Sequence, residues 1–332
     1  MAKKKIVLSI DGGGIRGIIP GQILTHIESL LKEIYDDPNY RIADHFDLFA
    51  GTSTGGILAC AYLIPDYGRP KFSAKEVVDL YFERGDDIFN IPLFHRLRSA
   101  GGVLDEKYPE QGLEEALEDY FGNLKLVDLL KPTLITAYDI KRRKAHFFTQ
   151  HDAHEPDHNF FLRDIARATS AAPTYFEVSK IKSDSNKYYP LIDGGVFANN
   201  PALCAYAELR NKFSTRERKL TASDILLLSI GTGQTKNSFA YDEAKDWGLA
   251  KWIKPALDIM MDGVADTVDY QLGQIFDAAD VPDQYLRING ELPANIDPAM
   301  DCVEPNNLKA LKAFADKLFE DNQQAILSFL KR

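Results

Sequence analysis

Apolar positions along the 332 residues recur with two periods, one for strands and one for helices. Lys5-Ile6-Val7-Leu8-Ser9-Ile10 is a short apolar run that stops at Asp11 and three glycines, the pattern of a buried strand. Beyond it Ile23, Leu24, Ile27, Leu30, Leu31 and Ile34 recur at helical spacing and make one core face. Pro20 opens that helix, where its missing N–H is harmless. Residues 46–50 predict the next strand and 56–64 the next helix. Two glycine-rich turns thus each join a strand to a helix, the arrangement of a parallel sheet covered by helices.

Further on, Ser73 with Glu76 three residues later has the spacing of a capping box. Residues 133–140 and 145–149 read as strands around the basic turn Lys141-Arg142-Arg143-Lys144, a turn either solvated or in reach of phosphates. Residues 188–192 form a short strand entering Asp193-Gly194-Gly195, and 224–230 another before Gly231-Thr232-Gly233. The last helix spans 306–330, with Leu308, Leu311, Phe314, Leu318 and Phe319 on one side. There is no internal repeat, low-complexity tract or proline-rich linker. The expectation is one domain, 1–332, with 66–130 a candidate cap and 306–331 a C-terminal helix.

Composition narrows the class. Hydrophobic residues at 45% and charged residues at 27% suit a globular chain. Thirty-nine basic against 49 acidic residues leave a net charge of −10, which argues against a nucleic-acid polymer as partner and against strong adsorption to anionic membranes. Cys60, Cys204 and Cys302 are too few and too scattered for a disulfide framework or a zinc site. Cys60 and Cys204 lie in apolar stretches and read as small buried hydrophobes. Residues 1–5 run into the first strand too soon for a signal peptide. The longest apolar run, 56–65, falls short of the roughly 20 residues that span a bilayer. A soluble, cytoplasmic protein, peripheral at membranes at most, is expected.

The chemistry centres on Gly51-Thr52-Ser53-Thr54-Gly55, a G-x-S-x-G pattern between an apolar strand and an apolar helix. That is the mark of a nucleophile elbow, with Gly51 and Gly55 making room for a sharp turn. All seven histidines lie between positions 26 and 158, so none follows Asp193, the best acid candidate. The absence selects a serine–aspartate pair over a triad. A free aspartate, with a pKa near 3.9, is a poor base toward a hydroxyl. Partial burial would raise it, and a hydrogen bond to Ser53 would orient the proton transfer. Taken alone, Asp193 reads more simply as a cap of the Phe197-Ala198-Asn199-Asn200-Pro201 turn.

Asp11-Gly12-Gly13-Gly14-Ile15-Arg16-Gly17 matches G-x-G-x-x-G through Gly12, Gly14 and Gly17, which is also the dinucleotide-binding pattern. A dinucleotide fold wants a second strand ending in an acid about 20 residues on. Here a helix fills that window, Asp36-Asp37 stand at its polar end, and the next strand ends in the serine elbow. The same glycines serve another chemistry. Amides of Gly12, Gly13 and Gly14 converging at a helix start would hold an oxyanion, each donor contributing roughly 3 kcal/mol. Arg16 adds positive charge beside the loop, or pairs with Asp11 or another acid at the helix start. His151, His154 and His158, among Asp152, Glu155 and Asp157, read as a solvated acidic loop. His26 falls on the polar side of the first helix, and His45 and His95 stand alone, so no metal site is expected.

The ordered set of the glycine loop, the serine elbow and Asp193-Gly194-Gly195 resembles the patatin-like phospholipases. The resemblance extends to Ala168-Thr169-Ser170-Ala171-Ala172-Pro173-Thr174-Tyr175-Phe176, to the 197–201 turn and to Leu228-Ser229-Ile230-Gly231-Thr232-Gly233. The stretch from Trp247-Gly248 to Trp252 also resembles plant patatins. By that resemblance Ser53 is the nucleophile, Asp193 its base, and Gly12, Gly13, Gly14 and Arg16 the oxyanion segment. The implied fold is an α/β class three-layer α/β/α sandwich with a mostly parallel central sheet. The implied reaction is hydrolysis of carboxylic esters of phospholipids or related lipids through an acyl-serine intermediate, with no metal and no cofactor. Some bacterial relatives resembling this family are lipases switched on by cyclic nucleotides, an activator that nothing in this sequence supports. Residues 88–98, which mix large apolar side chains with Arg96 and Arg98, suit either a lipid interface or a buried connector. Two other classes stay open: a nucleotide-binding module built on Gly12 to Gly17, and a non-catalytic storage or interaction protein.

Overall fold

The computed structural model describes residues 3–89, 110–215, 218–235 and 239–332. Residues 90–98 of the mixed apolar and basic stretch, including His95 and the middle of the candidate cap, lie outside them. Besides a two-residue hairpin, Pro65–Asp66 with Arg69–Pro70, a sheet of eight strands organises the described residues: β1 Lys5–Ile10, β2 Leu48–Thr52, β3 Thr133–Asp139, β4 Lys144–Thr149, β5 Ser179–Lys182, β6 Tyr188–Asp193, β7 Ile225–Ile230 and β8 Tyr285–Ile288. The order is β8-β7-β1-β2-β3-β6-β5, with β4 paired to β3. From β8 to β3 every neighbour is parallel, whereas β4 and β6 run antiparallel to β3.

Strands buried on both faces must be apolar nearly throughout. In β1, Leu8 and Ile10 face one core cluster and Val7 the other; β7 alternates likewise, with Leu226 and Leu228 opposite Ile225 and Leu227. Each such side chain contributes about 1.5–3 kcal/mol by leaving water. Helices α1 Ile18–Tyr35 and α8 Pro305–Leu330 cover the first face through Ile23, Leu24, Ile27, Leu311, Phe319 and Phe329. With α2 Thr54–Tyr62 on that same side, α6 Ala202–Lys212 and α7 Leu249–Asp277 cover the second through Ala205, Leu209, Leu272 and Phe276. The architecture is therefore a three-layer α/β/α sandwich. Among the described residues no helix is long and apolar enough to cross a membrane.

Two expectations shift in detail. The first helix starts at Ile18 rather than Pro20, because a 3₁₀ turn, Gly14–Gly17, feeds directly into it. Pro20 still falls within the first turn, whose N–H groups have no helical acceptor. Around the elbow the strand runs on to Thr52 and α2 begins at Thr54, so the turn is a single residue. Hydropathy blurred these limits because Thr52 and Thr54 are polar yet buried.

The edges of β3 carry the fold's main consequence for the site. Leu134, Ile135 and Thr136 pair with both β2 and β4, while Ala137, Tyr138 and Asp139 pair with both β4 and β6. A strand has two edges, so β4 fills one, and β2 and β6 share the other end to end. They run toward each other. The last rung of β2 is Thr52 opposite Thr136, and the last rung of β6 is Asp193 opposite Ala137.

Candidate active site

That head-on meeting brings the serine elbow against Asp193. Ser53 takes φ 54° and ψ −126°, a conformation rare for a residue with a side chain. Such backbone strain costs about 1–3 kcal/mol and persists only where the surroundings enforce it. They do so by close packing: a Cβ on Gly51 would lie 2.3 Å from the Gly55 carbonyl oxygen, and one on Gly55 2.2 Å from that of Ile10. Threonines hold the turn from beneath. The Ser53 amide donates to Thr169 Oγ1 at 2.9 Å, and Thr169 Oγ1 donates to the Thr136 carbonyl at 2.7 Å. Thr52 Oγ1 donates to the Ala198 carbonyl at 2.6 Å and lies 2.7 Å from Thr136 Oγ1.

Asp193 is 2% exposed. Burial pushes its carboxyl up to about 7, against the pull of the Gly195 amide, 2.7 Å from Oδ1, and of the Ser53 hydroxyl, its hydrogen-bonding neighbour. Loss of solvation outweighs both bonds. Gly194 allows this approach, since a Cβ there would sit 2.0 Å from Thr136 Oγ1. The Gly195 hydrogen bond is the capping geometry that the local sequence suggested, so capping and proximity to Ser53 coexist.

The glycine loop lies over the serine. A Cβ on Gly12 would be 3.1 Å from Ser53 Cβ, so only glycine lets the strand end pass. Its amide is already engaged, donating to the Asn199 carbonyl at 3.1 Å. Among the described residues the Gly13 and Gly14 amides donate to no backbone carbonyl, and Gly14, at φ 59°, lines the same pocket as Ser53. Arg16 points elsewhere. It is 8% exposed, and its guanidinium donates to the carbonyls of Gly13 and Gly233, both at 3.5 Å. Asp11 pairs instead with Arg287, which reaches it through Nη1 at 2.9 Å and Nη2 at 2.5 Å and holds Ser229 Oγ at 2.8 Å. Of the acids open to Arg16, Asp11 is thus taken by Arg287, which reaches it across β7, and the acids that act on Arg16 are Asp262 and Asp258.

Ser53 opens into an apolar pocket walled by Ile57, Leu113, Ala172, Tyr175, Phe176 and Met300. Sequence reading missed Leu113, Met300 and Arg287, which come from distant elements, and gave Thr169 no role although its motif stood out. The histidine loop is solvated as expected at His154, Glu155 and His158, but its first residues are engaged. His151 Nε2 lies 2.8 Å from Glu208 Oε1, and Asp152 accepts from Lys212 at 3.0 Å, because α6 packs alongside. His151, Asp152 and Glu208 have ligand-type atoms within 4.8 Å of one another, with Lys212 holding the aspartate.

Comparison with known proteins sets this geometry in a lineage. The family model described as patatin-like phospholipase matches residues 8–206, from β1 into α6. The chain belongs to the patatin-like phospholipases. Patatin-like protein 4 of Arabidopsis thaliana is 35% identical over 95% of this chain and 83% of its own. Patatin-17 of Solanum cardiophyllum is 33% identical over 98% of this chain and 88% of its own. The solved structure of VipD from Legionella pneumophila aligns with 98% of this chain and 67% of that one, at 14% identity and a TM-score of 0.45. In patatin-like terms the glycine loop, the elbow and the Asp193 turn all lie within the matched region.

Proposed function

We propose that this patatin-like chain is a lipid acyl hydrolase, a serine esterase of phospholipase A or lysophospholipase type, working through Ser53 and Asp193. The observation that carries the reading is the end-to-end meeting of β2 and β6, which brings a buried carboxyl to a strained serine that lines an apolar pocket. Ionised Asp193 takes the Ser53 proton as Oγ attacks the ester carbon. The oxyanion falls to the Gly13 and Gly14 amides, each worth roughly 3 kcal/mol, with Gly12 packed beneath and Arg16 bracing the loop through the Gly13 carbonyl. Collapse expels the alcohol, which leaves with the proton from Asp193, and the acyl group stays on Ser53. Water then repeats the sequence in reverse, with Asp193 as base, and releases the fatty acid. A carboxyl titrating at about 7 is a better base at neutral pH than an ordinary aspartate. The apolar walls suit an acyl chain drawn from a membrane or micelle, with the protein peripheral to it.

The test is Ser53→Ala with a fluorescent phospholipid and a p-nitrophenyl ester. Turnover should vanish, and a fluorophosphonate should label the native protein at Ser53 alone. Undiminished hydrolysis in the variant removes Ser53 from its role.

A further inference from the structure

Two antiparallel hairpins, β3–β4 and β5–β6, stand at the end of the sheet that carries Ser53. β3 continues for three residues past Thr136, the last rung of β2, before the chain turns, so the tip at Lys141 to Arg143 lies roughly 10 Å beyond that rung. Tyr188 begins β6 beside this tip, where the Ile140 amide donates to the Pro190 carbonyl at 3.2 Å, and β5 lines the outer edge of β6. The pocket that holds Ser53 adjoins them, since its walls Tyr175 and Phe176 lead directly through Val178 to Lys180.

The hairpins concentrate positive charge in a chain whose net charge is −10. Lys141, Arg143, Lys144, Lys180 and Lys182 are all exposed, and none pairs with a carboxylate among the described residues. The nearby carboxylates have other partners: Arg142 holds Asp139 at 2.6 Å, Lys125 holds Asp184 at 2.8 Å, and Lys187 holds Asp157. Glu155 and Glu177 stand exposed at the margin, two against five unpaired cations. Charges more than about 8 Å apart are largely screened at physiological salt. A surface laid against the hairpins therefore meets this local excess rather than the charge of the whole chain.

Apolar side chains lie among the cations. Ile140, Val178 and Tyr188 are exposed, and the Lys180 and Lys182 ammonium groups sit 4.9 and 5.9 Å from the centre of the Tyr188 ring. A soluble polyanion would call for the cations alone. Cations interleaved with aliphatic and aromatic side chains match a lipid surface, where negative head groups overlie hydrocarbon.

Resting on the acyl-hydrolase reading above, we infer that the two hairpins dock the protein on an anionic lipid bilayer. The five unpaired cations meet the head groups, and Ile140, Val178 and Tyr188 enter the boundary with the acyl chains. Docking sets the Ser53 pocket beside the surface that supplies its acyl chain. Surface charge then governs turnover of membrane lipid and leaves that of a soluble ester unchanged.

Vesicle sedimentation tests this, with dioleoyl phosphatidylcholine alone and mixed with dioleoyl phosphatidylglycerol. Each cation near an anionic surface is worth about five-fold in partitioning. The native protein should bind the mixed vesicles at least about 100-fold better, and molar salt should abolish the difference. Arg143→Gln/Lys144→Gln/Lys180→Gln/Lys182→Gln should bind the two kinds within about five-fold of each other, yet hydrolyse p-nitrophenyl butyrate at the native rate. Should that variant not fold, Lys180→Gln/Lys182→Gln on the exposed face of β5 should still lose about 25-fold. Equal native binding to both vesicles, a preference that survives molar salt, or native preference in the variants overturns the docking surface. So does a salt-sensitive dimer formed through these residues in place of vesicle binding. Absence of p-nitrophenyl butyrate turnover in native protein that still docks instead overturns the hydrolase reading and leaves the docking surface standing.

Discussion

Replacing Asp193 by asparagine separates what its burial does to the fold from what its charge does to the chemistry. The carboxyl titrates near pH 7 in the folded protein, where desolvation raises it, and near 4 once the chain unfolds. Between those values the native state binds the extra proton, so stability falls as pH rises through the window. The full difference amounts to about 4 kcal/mol, lost by pH 8 and fully present below pH 4. Asparagine keeps an oxygen to accept the Gly195 amide at the same 2.7 Å site and never ionises. Urea unfolding of both proteins at pH 4.5, 6 and 8 reads the effect directly. The stability difference between the two should shift by up to about 4 kcal/mol in favour of Asp193→Asn from the acid end to the alkaline end. A pH-independent difference would show that Asp193 keeps an ordinary carboxylate and would refute the desolvation reasoning. The same ionisation should appear in catalysis. Native kcat/KM rises with pH to a plateau above about 7, and the variant loses roughly 10²–10⁴-fold.

Other perturbations test the supports. Ser53→Gly and Ser53→Ala both lack the hydroxyl, but only glycine relaxes the φ of 54°, so the glycine variant should be about 1 kcal/mol more stable in urea. Equal stabilities would mean that the turn stores no strain. Thr169→Val removes the acceptor for the Ser53 amide and the donor to the Thr136 carbonyl, both buried. It should lower stability by about 2–6 kcal/mol, at about 1–3 for each of the two stranded groups, and reduce kcat more than it raises KM. An effect below about 0.5 kcal/mol sinks that role. Arg287→Gln strands Asp11 at 2% exposure and should cost about 3–5 kcal/mol, read as a fall in the urea midpoint.

Much of the sandwich was legible because its strands are buried on both sides. Continuous apolar runs such as 5–10 and 225–230 can hardly be anything else, and their glycine-rich exits mark strand-to-helix turns. The position of the histidines, all before residue 159, favours an aspartate partner over a triad. Polar residues that the fold buries carried the weakest signal. Thr52, Thr136 and Thr169 are all fully buried, yet hydropathy assigns such residues to the surface, and only their mutual hydrogen bonds explain their presence. Arg287 and Met300 stayed hidden for another reason. Each reaches the site from an element far along the chain, and nothing local marks a residue whose partner is brought by sheet order.

The sharing of one edge of β3 is the clearest case of information that no local pattern holds. Had β6 paired parallel to β3, its C-terminal residue would lie away from the last rung of β2. Because it runs antiparallel, the two C-terminal ends converge on Thr136 and Ala137, and Asp193 arrives beside Ser53. The hairpin of β3 and β4 confines β6 to this edge, since β4 occupies the opposite one from Leu134 to Asp139 and leaves β6 only the remainder beyond β2. The meeting of the strained serine turn with the buried carboxyl is then the consequence of one topological choice. A head-on junction leaves no strand residues between them to relax either one.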